Sequence, residues 1–263
     1  MNFAAFKNEF LIFIMILPRL YASLSVGSFL SRTLVGGLLT RNGIVLSLAL
    51  AVYPAASANF HGFDYSLAHV FSVLGKEVMI GIFIGYVLNV PFWIVEAAGE
   101  LIDNQRGATI ANSMNFLTDN ITSPLGSLFS QAFITIFFST GVFLVFLKGL
   151  YLSYGAWPVT EFMPNLNMAM ADFFIKEFSL VSYLTVMIAG PVVIILFLSE
   201  FGLGLVGRFA PQLNVFFLAL PVKSAVAIGI TILYFTFMMR YFSESFSDMG
   251  DIPQKIFRLI YER

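Results

Sequence analysis

The sequence predicts an all-α membrane protein built from about six apolar helical segments, several of them interrupted by proline, with a short amphipathic helix at the end of the chain. Three observations carry that reading. The 263 residues are 59% hydrophobic and 11% charged, with a mean hydropathy of +0.88, whereas a soluble domain carries about 25% charged residues to keep its surface wetted. The apolar residues gather into runs near the ~20 residues needed to cross ~30 Å of hydrocarbon. Prolines sit well inside four of those runs, at Pro18, Pro91, Pro191 and Pro221.

The first run, Phe10–Leu30, follows Lys7 and loosely resembles the apolar core of a signal peptide. Pro18-Arg19 interrupts it and no small-residue cleavage site follows, so it reads as a retained first helix. The other runs are Gly43–Ala58, Val78–Ala98, Leu125–Tyr151, Ser179–Gly207 and Leu213–Phe242, the last three longer than one crossing requires. Polar stretches at 31–42, 59–77, 99–124, 152–178 and 208–212 separate them. The tail after Arg240 is charged and amphipathic, and Asp251-Ile252-Pro253 opens a short last helix. With no repeat of fixed period and no low-complexity tract, residues 1–263 read as one domain. Six alternating crossings put Lys7, Lys76, Lys148, Lys176, Arg240, Lys255, Arg258 and Arg263 on one side, and Arg32, Arg41, Arg106 and Arg208 on the other. The positive-inside rule then faces both termini to the cytoplasm.

These runs are not ordinary lipid-facing rods. An interior proline removes a helix hydrogen bond and kinks the chain, and in lipid the freed carbonyl must find another partner. Arg19, Glu96, Glu200 and Lys223 lie within or at the edges of apolar segments, and ionisable groups at such depth face a bundle interior or a pathway. The 31 phenylalanines supply large contact areas with few rotamers. Together these predict kinked helices packed mostly against other helices, much of it between chains.

Composition also excludes partners and chemistries. A net charge of −1 offers no basic field for nucleic acid. Without cysteine there is no disulfide and no thiolate metal site. His61 and His69 sit in or beside one loop with no carboxylate cluster to complete a metal site. No cofactor is expected.

Two polar stretches are more specific. Gly99–Thr109 (GELIDNQRGAT) leads into Ile110–Pro124, where Met114, Phe116, Leu117 and Ile121 are mixed with small or polar residues such as Ala111, Asn112, Ser113 and Asn115. That second piece reads as a loop with apolar anchors. Such a loop can close a pore by dewetting, and the plainer reading is a surface loop whose apolar residues dip into an interface. In Arg208–Ser224, Pro211 and Pro221 bracket a helix-sized run, and Gln212 and Asn214 can cap backbone groups left open by the breaks. A tight turn between antiparallel helices accounts for most of this stretch. Arg208 and Lys223 are harder to place as bystanders, and Glu200 is an available partner for either.

IDNQRGAT (Ile102–Thr109) and RFAPQLNVF…LPVKS (Arg208–Ser224) resemble the SctT family of type III secretion systems, also called SpaR or EscT, whose flagellar relative is FliR. The resemblance covers essentially the whole chain, and the wording of both motifs is similar to the injectisome branch more than to the flagellar one. It implies one copy of such a protein assembling with several copies of SctR and SctS into the gate for unfolded secreted proteins, its helices forming bent hairpins. The assembly would sit in the bacterial inner membrane, in contact with lipid, and project toward the periplasm. It also implies the switch protein SctU and the ring protein SctV as partners, with an ATPase and the proton-motive force supplying energy. The motif loop matches at Asp103, Gln105, Arg106 and Gly107, and the channel plug falls on Ala111–Ile121.

Other patterns are decoys. Gly202-Leu-Gly-Leu-Val-Gly207 has the G-x-G-x-x-G spacing, but Pro211 follows almost at once and no acidic residue lies between Phe201 and Tyr241. It reads as a small-residue face for close helix packing, like Gly81 and Gly85. Glu96, Glu100 and Asp103 suit a helix end more than a proton relay. A secondary transporter is the alternative function, motivated by broken helices and buried charge, although no two halves match as repeats. An intramembrane hydrolase needs a buried dyad, and no histidine or aspartate lies inside a run. An export-gate subunit without enzymatic activity is the expected function.

Overall fold

A computed structural model describes residues 3–30, 36–57, 60, 66–108, 123–161, 168–210, 212 and 214–249. The described elements are helical: α1 (Phe3–Val26), a 3₁₀ turn at Ser28–Leu30, α2 (Leu38–Ser57), α3 (Leu67–Arg106), α4 (Pro124–Ser139), α5 (Val142–Ala156), α6 (Met168–Phe209) and α7 (Val215–Met249). Among the described residues, five helices are long and apolar enough to cross a membrane, and six spans result if α4 and α5 form one broken span. The all-α fold class and the multi-pass membrane character follow. The plug stretch 111–121, Pro211 and the last helix expected after Asp251 lie outside the described residues.

Several boundaries differ from those expected, each for a physical reason. The stretch 59–77 was expected to be polar loop, but α3 is helical from Leu67 and takes Lys76 and Glu77 inside. Their charges are met within the chain, so they do not end the helix. At its other end α3 runs through Glu100, Asp103 and Gln105 to Arg106, because none of these side chains breaks a helix and a cation suits its last turn. At 40 residues α3 has about twice the ~20 residues that one crossing requires. α6 likewise starts at Met168, well before Ser179. The run Leu125–Tyr151 is two helices, because Gly141 takes a left-handed φ of 77° between them. Prolines 18, 54, 91, 191 and 221 all lie inside helices, so Pro221 does not bracket the run after Pro211.

The chain divides into two compact units, 1–90 with 141–175 and 248–263, and 91–140 with 176–247. In the first, α1 lies directly on the glycine face of α3. A Cβ at Gly81 would stand 2.5 Å from Arg19 O, and one at Gly85 2.7 Å from Ser23 O. Phe29, buried after α1, meets the edge of Phe146 at 5.3 Å. In the second unit, Phe92 is sandwiched edge-on by Phe133 at 4.9 Å and Phe137 at 5.1 Å. There α3 and α4 approach at paired glycines, where a Cβ on Gly99 would lie 2.5 Å from Gly126 N. The small-residue reading therefore fits Gly81 and Gly85. In the Gly202–Gly207 stretch, Gly207 packs against Val215, while Gly202 and Gly204 have open space within the chain itself.

Candidate functional site

The motif residues gather where α3 ends and α4 begins. Asp103 is 3% exposed and sits one turn before the end of α3. Its Oδ1 accepts from Arg106 Nε at 2.6 Å, and its Oδ2 accepts from Ser123 Oγ at 2.6 Å and from Leu125 N at 2.8 Å. Ser123 is the N-cap of α4 and its Oγ accepts from Gly126 N at 3.0 Å. One carboxylate thus joins the last turn of one helix to the first turn of the next. Carboxylates are favoured at a helix N-terminus, where free N–H groups and the helix dipole present positive charge.

Gly107 then turns the chain with φ +88, a conformation that glycine adopts without the cost other residues meet. A Cβ there would lie 2.5 Å from Leu220 Cδ2 of α7. Gly107, against α7, and Ser123, on Asp103, are thus held in place on either side of residues 109–122. Gln105 is half-buried beside them.

The second stretch forms the turn between α6 and α7. Gly207 packs against Val215, whose Cγ2 would meet an added Cβ at 2.6 Å. Lys223 Nζ pairs with Glu200 Oε2 at 3.1 Å, joining α6 to α7. Of the charges expected at depth there, Lys223 is buried, while Glu200 and Arg208 are exposed on the chain itself. Gln212 and Asn214 are exposed as well, and Asn214 O accepts the first backbone bond of α7 from Leu218 N.

Sequence reasoning missed a third cluster, in the first unit. Arg19 is fully buried and donates from Nε and Nη2 to the two oxygens of Glu77 at 2.7 and 2.9 Å. Its Nη1 reaches Ser153 O at 2.7 Å, its Nη2 also reaches Trp157 O at 2.9 Å, and Tyr154 stacks at 4.3 Å. Lys76 Nζ shares Glu77 at 3.0 Å and donates to the carbonyls of Pro158, Val159 and Glu161. Two cations and one carboxylate are balanced by carbonyl oxygens that follow α5. The available signal was Arg19 inside an apolar run, which demands a counter-charge, and Glu77 at the edge of another. Lys76 therefore cannot count as a loop charge in the orientation expected from the sequence.

Comparison with known proteins places this geometry in a family. The description Bacterial export proteins, family 1 matches residues 10–249. The chain is 45% identical over 239 residues to the Yop proteins translocation protein T of Yersinia pestis, covering 91% of each chain. It is 36% identical to the surface presentation of antigens protein SpaR of Salmonella typhimurium, over 74% of this chain and 72% of that one. It is 31% identical to the flagellar biosynthetic protein FliR of Bacillus subtilis over 60% of this chain and 62% of that one. The expected kinship with SpaR-type proteins, and the more distant one with FliR, are both present. This chain belongs to family 1 of the bacterial export proteins and is a component of a type III secretion export apparatus.

Proposed function

We propose that the chain is a non-enzymatic core subunit of the export gate, acting as one domain across residues 1–263. One copy joins SctR-type and SctS-type subunits in the bacterial inner membrane, with part of the assembly projecting to the periplasmic side and with SctU and SctV as further partners. Unfolded proteins thread through the channel so formed, and residues 111–121 close it between substrates. The observation that supports this reading is that the described residues on either side of 109–122 are held in place, Ser123 and Leu125 by Asp103 and Gly107 against α7. A stretch with a few apolar anchors whose flanks are held by packed helices can be displaced by a passing chain and return to the same place.

Exposed apolar residues support an obligate partner or lipid contact. Phe201 is 60% exposed, Leu233 79% and Phe237 65%, which in water marks an interaction surface. Co-expression with SctR- and SctS-type subunits, affinity purification and native mass spectrometry test the proposal. A discrete complex with one copy of this chain is expected. Purification as a stable monomer or homodimer that ignores both subunits would overturn the reading and favour a transporter.

A further inference from the structure

Four cations in or near the apolar helices are met by carboxylates of the chain itself: Arg19 and Lys76 share Glu77, Arg106 holds Asp103 and Lys223 holds Glu200. Lys148 has no such partner. It is the seventh residue of α5, a helix of 15 residues that is apolar on both sides of it and forms half of a candidate broken span. The side chain is exposed and, among the described residues, has neither a carboxylate nor a hydrogen-bond partner. A charge inside an apolar span is retained where a counter-charge or a polar cavity meets it.

The face that carries Lys148 has the form of a helix seat. Leu144, Lys148, Tyr151 and Gly155 follow one another at intervals of four, three and four, the spacing that keeps one stripe of a helix turned toward a neighbouring helix. All four line a cleft of about 480 Å³ between α5 and α2, with Ala55 on the α2 side. Leu144 is 67% exposed, and a Cβ on Gly155 would meet nothing within 4 Å. A second backbone can therefore come close at that end of the stripe, as small residues permit between helices in lipid. A phospholipid carries its phosphate in the headgroup layer, outside the hydrocarbon, whereas Leu144 and Leu152 stand one turn to either side of Lys148. A carboxylate borne on an apolar helix reaches the depth of the lysine directly.

We propose that this face seats an apolar helix of another subunit of the export apparatus, one that carries an Asp or Glu opposite Lys148. The ammonium donates to that carboxylate, the Tyr151 hydroxyl is a second donor beside it, and a small residue of the incoming helix lies on Gly155. The ion pair fixes register, because a helix slipped by one turn leaves two charges unpaired in an apolar groove. The lysine thus selects among apolar helices that would otherwise pack equally well. The inference rests on the reading of the chain as one subunit of a multi-subunit gate, and not on the plug.

The test uses the full chain co-expressed with SctR- and SctS-type subunits, with Leu144 replaced by the photoreactive p-benzoylphenylalanine. Illumination of the purified complex should cross-link this position to one helix of one of those subunits, within a turn of an Asp or Glu located by mass spectrometry. Like charges facing each other across a contact oppose association, so Lys148→Glu should lower recovery of the complex by about tenfold or more. Changing the cross-linked helix's carboxylate to Lys should restore recovery, an outcome that a misfolded Lys148→Glu chain cannot give. A complex that forms while Leu144 cross-links only to lipid, or only within its own chain, would overturn the inference and leave the gate reading standing. So would a complex recovered unchanged with Lys148→Glu, or one that the reversed carboxylate fails to restore. If the unaltered chain forms no complex with these subunits, the gate reading falls and this inference falls with it.

Discussion

Removing the Asp103 carboxylate should open the base of the 109–122 loop while leaving the rest of the fold in place. Asp103→Asn keeps the shape but has one acceptor oxygen. If that oxygen stays toward Ser123 and Leu125, the new amide faces Arg106 Nε donor to donor. If it turns toward Arg106, the Leu125 N–H loses its acceptor. Either arrangement forfeits one charge-assisted bond, worth ~1.5–3 kcal/mol, and weakens the others by removing the charge. Asp103→Ala leaves all three donors without their acceptor, and ~3–5 kcal/mol is the cost typical of breaking a buried ion pair. Hydrogen exchange at Leu125 and Gly126 in the purified assembly should accelerate by about 10-fold or more for Asn and further for Ala, since ~1.4 kcal/mol corresponds to tenfold when exchange requires local opening. Ion leakage in cells carrying the assembly should rise in the same order. Exchange and leakage both unchanged in Asp103→Ala would refute the claim that this carboxylate holds the loop.

Four further expectations follow from these contacts. Gly107→Ala combines left-handed strain of ~1–2 kcal/mol with a clash on Leu220; the double variant Gly107→Ala/Leu220→Ala should recover the clash part but not the strain, as read by melting of the purified assembly. Gly99→Ala meets the backbone of Gly126 at 2.5 Å and should sharply reduce the folded yield. Gly75→Ala, with open space around it, should be neutral or stabilise the helix by up to ~1 kcal/mol. Glu77→Leu strands two buried cations and should destabilise the chain by ~3–5 kcal/mol in a detergent melt; a cost below about 1 kcal/mol would mean the cluster is solvated.

Much of this architecture was readable from hydropathy, because the bilayer imposes run lengths that few soluble folds imitate. The helix boundaries were less readable where charges entered the runs. Lys76 and Glu77 look like a loop when only hydropathy is considered, yet Arg19, 58 positions away, supplies one side of their compensation and the carbonyls after α5 supply the other. Such compensation depends on tertiary contact and leaves no local trace. The motif around Asp103 was legible as a motif, whereas its partners Ser123 and Leu125 lie about 20 positions further along the chain. Gly141 was visible as a residue, but its left-handed conformation and the break it makes between α4 and α5 were not.

The central claim is that residues 111–121 close a channel to which this chain contributes. The most direct measurement is the ion conductance of the co-purified assembly reconstituted in planar bilayers, with and without deletion of 111–121. A closed intact assembly and a steadily conducting deletion, both with the same subunit stoichiometry, are the predicted results. Equal low conductance from the two assemblies would contradict the account and place the seal elsewhere.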